Sequence, residues 1–280
     1  MKITFLGTAA AEGFPAVFCN CEYCQIARAI KGKNIRTRHQ TLINDDFLID
    51  LPADTYLHAL NNGLRFDKVK YLILTHTHSD HFYPKELEMK VVPYAHNQQS
   101  ENLSIYGGKG TEKIFVEKFN SFTLNDFKDK VVFNYIDCYK PTKIGDGYII
   151  TSLPARHEFG NDARIYIIEK DGKTILYAHD TGIIYDEIYK YIEENKIHFD
   201  FISLDCTNGE LVFPDQSSHM GFCQIERVLK KFYEIKAIDD KTIKYINHFS
   251  HNANPTQEHL ETVAEKYGLN VAFDGEQIDF

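Results

Sequence analysis

The run Val69-Lys-Tyr-Leu-Ile-Leu-Thr-His76-Thr-His78-Ser-Asp80-His81 decides the expected fold of this chain. Its mostly apolar first half predicts a buried strand. Four potential metal ligands then follow within six positions. Alternate residues of an extended segment point the same way, so His76 and His78 can bind one ion, and a turn can direct Asp80 and His81 to a second. Such ligands suit zinc, manganese or iron. Because the ligands are so dense after a buried strand, we prefer this interpretation to a polar loop with scattered histidines.

Three further candidate ligands each follow a predicted strand. They are His157 after strand 147–153, Asp180 after strand 173–178 and His248 after strand 243–247. A single His or Asp at a strand end is more often a satisfied polar residue than a ligand. Strand ends and the loops after them usually carry function, however, and the same placement after three successive strands predicts one shared site.

The remaining sequence is typical of a globular α/β protein. Hydrophobic residues make up 43% and charged residues 25% of the 280 residues, and no Pro/Gly/Ser-rich linker divides the chain. We therefore expect one domain, 1–280, in which helices cover two mixed sheets. Helices are predicted at 53–62, 184–195, 218–233 and 256–267.

Charge and apolar patterning exclude several classes of protein. No apolar run of about 18 residues occurs, so we expect no membrane association. The apolar run at the N-terminus is too short for a secretory signal, which predicts a cytoplasmic protein. The 31 basic and 40 acidic residues give a net charge of −9. That balance argues against nucleic acid as a partner and favours a small molecule.

The order His-x-His-x-Asp-His, then a distant His, an Asp and a His, resembles the metallo-β-lactamase superfamily over nearly the whole chain. The resemblance implies an αββα four-layer sandwich with two divalent ions, zinc or manganese or else iron, at one edge of the sheets. It implies that one ion is held by His76, His78 and His157, the other by Asp80, His81 and His248, with Asp180 bridging both. Asp50 matches a position that supports the ligands in this family. Since His78 is not a glutamate, the oxygen-reducing di-iron relatives are excluded and hydrolysis is favoured.

Clustered cysteines indicate a further metal. The run Cys19-Asn-Cys21-Glu-Tyr-Cys24 can wrap one structural zinc, for which His251 is the candidate fourth ligand, although three unliganded thiols are the alternative. A subgroup related to the cyclic-phosphate phosphodiesterase of the carbon–phosphorus lyase pathway combines such a run with a late His-x-x-His, here His248 and His251. Relatives of this subgroup are often dimers, which leaves a homodimer open.

These features predict a phosphodiesterase that cleaves small or cyclic phosphate diesters with a metal-bridging hydroxide. His219 is the candidate general acid, because an ordinary histidine pKa of about 6.5 suits proton donation near neutral pH. Asp80 is counted with the catalytic residues as well as with the ligands. The alternative for His219 is that it merely begins the helix 218–233.

Other functions remain open at this point. The same ion pair can hydrolyse lactones, lactams or thioesters. A tRNA 3′-end endonuclease-like enzyme would need a basic arm, for which the stretch 28–38 is the candidate. A non-catalytic metal-binding protein is the third alternative. The insertion 82–130 could form a specificity pocket, in which Tyr83, Tyr94, His96 and Tyr106 either contact a ligand or simply pack.

Overall fold

The computed structural model describes residues 1–120, 127–157 and 162–280. Within these ranges the strands form two mixed sheets of seven strands each. In spatial order, the first sheet contains β14 (Glu276–Asp279), β1 (Lys2–Gly7), β2 (Gln40–Ile43), β3 (Phe47–Ile49), β4 (Tyr71–Ile73), β5 (Leu103–Gly107) and β6 (Val131–Tyr135). The second contains β13 (Asn270–Val271), β12 (Ile243–Asn247), β11 (Phe201–Asp205), β10 (Lys173–Ala178), β9 (Arg164–Lys170), β8 (Ile149–Pro154) and β7 (Thr142–Lys143).

Each sheet has a parallel half and an antiparallel half. Strands β3 to β6 and strands β10 to β13 pair in parallel, whereas the other neighbours are antiparallel. Parallel strands end at the same edge of a sheet, so the loops that follow them meet there. The candidate ligands of the 76–81 run, Asp180 and His248 all come from such loops.

Helices cover the outer faces of both sheets. They are α2 (Thr55–Asn61), α3 (Lys109–Phe119), α4 (Phe127–Lys130), α5 (Asp186–Glu194), α6 (Phe222–Glu234) and α7 (Gln257–Ala264). Helix α1 (Glu22–Ile30) instead packs on a separate small core with Phe14 and Ala16. Helix α6 shows why helices pack on the sheets. Its Ile225, Val228, Leu229 and Phe232 recur at helical spacing and are buried against the second sheet.

Successive side chains of a strand point to opposite faces of its sheet, so each strand contributes to two layers of the core. In β3, Phe47 and Ile49 join the core between the sheets, while Leu48 joins the core beneath the helices. In β11, Phe201 faces the other sheet and Ile202 faces the helices. The predicted αββα sandwich is therefore confirmed. None of the helices in the described ranges is long and apolar enough to cross a lipid bilayer.

One element prediction needs correction. The helix predicted at 218–233 begins at Phe222, so His219 lies in the preceding loop and does not start the helix. The insertion 82–130, for which no elements were predicted, contains β5, α3, α4 and a 3-10 segment at Pro84–Lys90. Its residues 121–126 lie outside the described part of the chain. The prediction of one domain over 1–280 stays a prediction.

Candidate metal centre

The ends of four strands bring the candidate ligands together. The 76–81 segment follows β4 and turns sharply, because the backbone N–H groups of His81 and Phe82 both donate to the carbonyl of His78, at 3.0 and 2.8 Å. The backbone N–H of Leu51 donates to the carbonyl of His81 at 2.7 Å and fixes the end of this turn. His157, Asp180 and His248 come from the second sheet.

One group of side chains contains the first predicted ligand set. The ligand atoms of His76, His78, His157 and Asp180 all lie within 4.8 Å of one another. The Nδ1 atom of His78 is 3.0 Å from Nε2 of His76 and 3.2 Å from Nε2 of His157. Asp180 Oδ2 is 3.2 Å from Nε2 of His76.

A second group shares Asp180 with the first. Asp80, His81, Asp180 and His248 are all buried, and their ligand atoms also lie within 4.8 Å of one another. Nε2 of His81 lies 2.8 Å from Oδ2 of Asp180, 3.4 Å from Oδ2 of Asp80 and 3.3 Å from Nε2 of His248. Asp180 thus lies between the two groups, where the resemblance placed a bridging ligand.

Outer hydrogen bonds orient the imidazoles of the second group. Nδ1 of His81 is 2.7 Å from Oδ2 of the buried Asp50, whose Oδ1 accepts from the backbone N–H of Thr75 at 2.8 Å. Nδ1 of His248 is 2.8 Å from Oγ1 of Thr207. Partners of this kind fix which ring nitrogen faces the centre, so Nε2 of both rings points inward.

Three residues of the centre have left-handed backbone conformations. The φ angles are 64° at Asp50, 52° at Asp180 and 64° at His248. This region is uncommon for residues other than glycine, and Asp, Asn and His are among those that adopt it most readily. Each of these residues lies one or two positions after the end of a strand.

The donor set fits divalent ions. Asp180 Oδ1 is buried and accepts no well-aligned hydrogen bond from the described residues, and its nearest cationic neighbour is Nδ1 of His219 at 3.2 Å. A buried carboxylate oxygen in this position suits a bound cation. The facing ring nitrogens are 3.0 to 3.3 Å apart, and two nitrogens about 2.0–2.1 Å from one tetrahedral zinc lie roughly 3.3 Å from each other. The structure brings every predicted ligand of both groups together, and their role as ligands stays a prediction.

Comparison with known proteins agrees with this geometry. A profile described as the β-lactamase superfamily domain matches residues 47–248, from the start of β3 to the last histidine of the second group. The chain belongs to the metallo-β-lactamase superfamily. Members of this superfamily are metal-dependent hydrolases, which makes the chain an enzyme with divalent cations as its expected cofactors. No curated protein sequence matches the chain.

Solved structures of the superfamily share the fold over the whole chain. Zinc-bound PqqB from Methylobacterium extorquens has a TM-score of 0.72 at 16% identity, covering 100% of both chains. A diphosphatase from the PhnP family has a TM-score of 0.74 at 18% identity, covering 100% of this chain and 97% of the other. The short form of human tRNase Z has a TM-score of 0.66 at 15% identity, covering 100% and 99%. At these identities the similarity shows the fold alone.

His219 lies beside the candidate metal centre and is oriented by a carboxylate. Its Nδ1 donates to Oδ2 of the buried Asp205 at 3.2 Å, and the side chain remains 24% exposed. Burial by itself would lower the pKa of His219, but the charge and hydrogen bond of Asp205 raise that pKa to about 9. With Nδ1 used in this way, Nε2 is the atom that can act on a substrate.

Asp205 and Thr207 were missed by the sequence interpretation. Asp205 accepts hydrogen bonds from the backbone N–H groups of Asp180, Thr207 and Met220, at 2.9 to 3.1 Å. It therefore connects Asp180, the candidate bridging ligand, to the loop that carries His219. The available signal was its place at the end of β11, which is the same position relative to a strand that identified Asp180 and His248.

The structure brings the three clustered cysteines and His251 together, and their role as zinc ligands stays a prediction. The ligand atoms of Cys19, Cys21, Cys24 and His251 lie within 4.8 Å of one another, and Sγ of Cys21 is 3.6 Å from Nδ1 of His251. The hydrogen bond to His251 lowers the pKa of Cys21 to about 6, whereas burial raises the pKa of Cys24 to about 11. A thiolate is the form that binds zinc, so Cys21 is ready to do so.

Two other predicted features do not join the centre. In the basic stretch 28–38, Arg36 is buried and donates to Thr8 and Gln257, and Arg38 pairs with Asp54. The stretch is therefore not a free arm. In the insertion, Tyr94 and His96 line an apolar cleft of about 500 Å³ against the outer face of the first sheet. Tyr106 packs against the core between the sheets. Tyr83 is half-buried after the 76–81 turn.

Proposed function

We propose that the protein is a phosphodiesterase that hydrolyses small or cyclic phosphate diesters. The observation that carries the proposal is the hydrogen-bonded pair of His219 and Asp205 at the open side of the predicted two-ion site. Departure of an alkoxide from phosphorus requires a proton donor when the leaving group is poor. A histidine that is held by a carboxylate and still reachable from solvent supplies one.

Three groups of candidate ligands contain Asp180, and the residues that would hold the ions are the first two described above, because the third group contains the proposed proton donor His219. When bound there, two divalent ions polarise a phosphoryl oxygen and make a water acidic enough to attack at neutral pH. Zinc and manganese both suit the imidazole and carboxylate donors, and iron is a further option. The cysteine cluster would hold a structural zinc.

The chain's own residues have distinct roles in the proposed reaction. His219 gives the proton on Nε2 to the leaving oxygen, and Asp205 holds Nδ1–H and stabilises the charged ring before the transfer. Asp80, whose side chain is 11% exposed, is the carboxylate of the second group that we assign to accept a proton from the attacking water. Asp50 and Thr207 keep the inward nitrogens of His81 and His248 unprotonated.

The alternative functions would use the same site, but the pair of His219 and Asp205 does not favour them. Hydrolysis of lactones, lactams or thioesters would use the same ions, and among the described residues of the site none selects a carbonyl over a phosphoryl group. A tRNA 3′-end endonuclease would need a basic RNA-binding surface, and two arginines of the candidate arm make internal contacts instead. A small diester as substrate, with no nucleic acid partner, is therefore our proposal.

The test uses purified protein loaded with zinc or manganese. It is assayed on bis(p-nitrophenyl) phosphate, nucleoside 2′,3′-cyclic phosphates and ribose 1,2-cyclic phosphate, with a lactone and a thioester for comparison. We expect diesters to be hydrolysed. Turnover of the carbonyl substrates without any diester hydrolysis would overturn the proposal.

His219→Ala tests the proton donor. We expect kcat to fall about 100-fold for the cyclic phosphates, whose alkoxide leaving groups need a proton, and less than about tenfold for the nitrophenyl diester, which does not. His198→Ala is the matched control, because His198 is exposed and pairs with Asp239 away from the site. Equal losses on both substrate types would exclude the acid role.

A further inference from the structure

Three consecutive large apolar side chains are exposed in the loop that carries His219. Leu211, Val212 and Phe213 are 45%, 78% and 43% exposed. Within the described ranges, no other run of three consecutive large apolar residues is exposed. Single exposed apolar residues are ordinary on a protein surface, whereas a contiguous set often marks an interaction site. We call these three residues the apolar tip.

The base of this loop packs directly beside His219. The side-chain amide of Asn208 donates to the carbonyl of His219 at 2.9 Å. A Cβ atom on Gly221 would lie 3.1 Å from the carbonyl oxygen of Leu211, so the missing side chain lets the two backbones approach closely. Two residues span at most about 7 Å, which places the carbonyl of Leu211 within roughly 12 Å of the Cα atom of His219.

Contacts with two helices hold the apolar tip in place. The side-chain amide of Gln224, in the first turn of α6, donates to the carbonyl of Phe213 at 2.8 Å. Glu210, which directly precedes the tip, lies 2.9 Å from Nε2 of His259 on α7. A loop that is already held in place loses little conformational freedom when a ligand covers it, so its apolar surface can contribute to affinity.

The leaving group is the part of a substrate that meets this loop. In the proposed reaction, Nε2 of His219 gives its proton to the leaving oxygen, which therefore lies within hydrogen-bond distance of the ring. Nδ1 is bonded to the buried Asp205, while the side chain remains 24% exposed, so the free nitrogen is the one that a group entering from solvent can reach. The organic part of the leaving group then extends outward beside the loop that carries the apolar tip.

We propose that the apolar tip binds the organic part of the leaving group, and that this group is an alkyl or aryl alcohol. This inference rests on the proposed function and deepens it, because it defines the class of diester that the enzyme cleaves. A polar leaving group would gain nothing from these three side chains, whereas an apolar one would remove them from water. Each CH₂ group that leaves water strengthens binding by up to about fourfold.

The experiment compares two diesters whose leaving groups differ in apolar surface and little in acidity. They are methyl 4-nitrophenyl phosphate and methyl 3-butyl-4-nitrophenyl phosphate, each assayed with the metal-loaded enzyme. We expect kcat/KM for the butylated over the plain substrate to exceed one. The ratio should fall about fivefold in the double variant Val212→Ser with Phe213→Ser, and Val212→Ile with Phe213→Leu should keep it.

Val116→Ser with Tyr233→Ser is the matched control, because these side chains are exposed on α3 and near the end of α6, away from the loop. The ratio should stay at the wild-type value in this control. Folding of each variant is checked by circular dichroism. Diester hydrolysis in which the ratio is the same in wild type and in the double variant at the tip would overturn the inference.

Calorimetric binding of the two phenols, 3-butyl-4-nitrophenol and 4-nitrophenol, separates this inference from the proposed function. A preference for the butylated phenol that is lost in the double variant at the tip, without hydrolysis of any diester, would support the apolar tip and overturn the phosphodiesterase. Wild-type dimers that dissociate in that double variant would assign the tip to a second copy of the chain and overturn the inference.

Discussion

The metal centre and the cysteine cluster are both candidate metal sites, but the chain builds them differently. The ligands of the centre follow strands of two sheets, most are buried, and the inner rings have outer partners such as Asp50 and Thr207. The cluster lies on the loop before α1, in the first turn of α1, which carries the buried Cys24, and on a 3-10 turn, and its other three members are half-buried.

This difference separates two ways of organising a metal site. At the centre, packing and hydrogen bonds hold the donors in place whether or not an ion is bound, so metal loss should remove activity and leave the fold. At the cluster, the loop is held by a small apolar core of Phe14, Ala16, Cys24 and Ala27 and by two bonds from Arg28 to the carbonyls of Ala16 and Cys19. Metal loss there should release local structure.

Asp180→Asn should have the largest effect, because it should remove activity at the metal centre while the fold remains. Removing the shared carboxylate charge should lower diester turnover by about 1,000-fold or more, since both ions lose a ligand. The left-handed φ of 52° suits asparagine as well as aspartate, so Tm and circular dichroism should change little. Asp171→Asn, at the same φ of 52° in an exposed turn, is the control. Unfolding of Asp180→Asn would contradict the idea that packing forms the site.

Asp50→Asn tests the outer hydrogen bonds. An amide N–H in place of Oδ2 would face Nδ1 of His81 and favour the tautomer with a protonated Nε2, which cannot bind metal. Affinity for metal should fall by about 10–100-fold, as measured by chelator competition. The control is Asp46→Asn on the same hairpin, where the carboxylate accepts from Tyr148 at 2.9 Å. Equal affinities in the two variants would exclude this orienting role.

Cys21→Ser tests the cluster, with a smaller expected effect on activity. Wild-type protein should contain about three metal ions per chain and the variant about two. Limited proteolysis should cut the loop before α1 sooner, while kcat falls only several-fold. Cys223→Ser, at an exposed thiol on α6, should match wild type in all three measurements. A variant that keeps its full metal content would show that Cys21 is not a ligand.

Asp274→Asn has the smallest expected effect. It changes a carboxylate that holds the N-terminal segment through hydrogen bonds, without a metal ion. Asp274 accepts from Oγ1 of Thr8 at 2.7 Å and from the backbone N–H of Thr37 at 2.6 Å. Burial raises its pKa from 3.8 to about 6 despite these hydrogen bonds. The folded state therefore binds the proton of the Asp274 carboxyl group more tightly than the unfolded state does. This protonated group contributes its full stabilisation below pH 3.8, and the contribution is lost as the pH rises through about 6.

Urea unfolding at pH 4, 5.5 and 7 measures that effect. The stability of wild type relative to Asp274→Asn should decrease as the pH rises. Asp279→Asn, an exposed site on β14, should show no such trend. A relative stability of Asp274→Asn that is independent of pH would contradict the raised pKa.

The sequence predicted those parts of the molecule that depend on local pattern. The apolar strand before His76 and the strand ends before Asp180 and His248 were found because strand periodicity is local. Strand β5 and helix α3 were missed because the insertion was treated as one unit. The left-handed φ angles, and the link from Asp205 to His219, depend on packing between segments distant in sequence, which periodicity does not reveal.

Each predicted ion position takes two donors from each sheet. His76 and His78 follow the first sheet while His157 and Asp180 follow the second, and the other position repeats this division. A bound ion is consequently a cross-link between the two halves of the sandwich at one edge. Chelation should therefore leave the fold intact but remove this cross-link, so that amide hydrogens near the ends of β4, β10 and β12 exchange somewhat faster than those at the opposite edge.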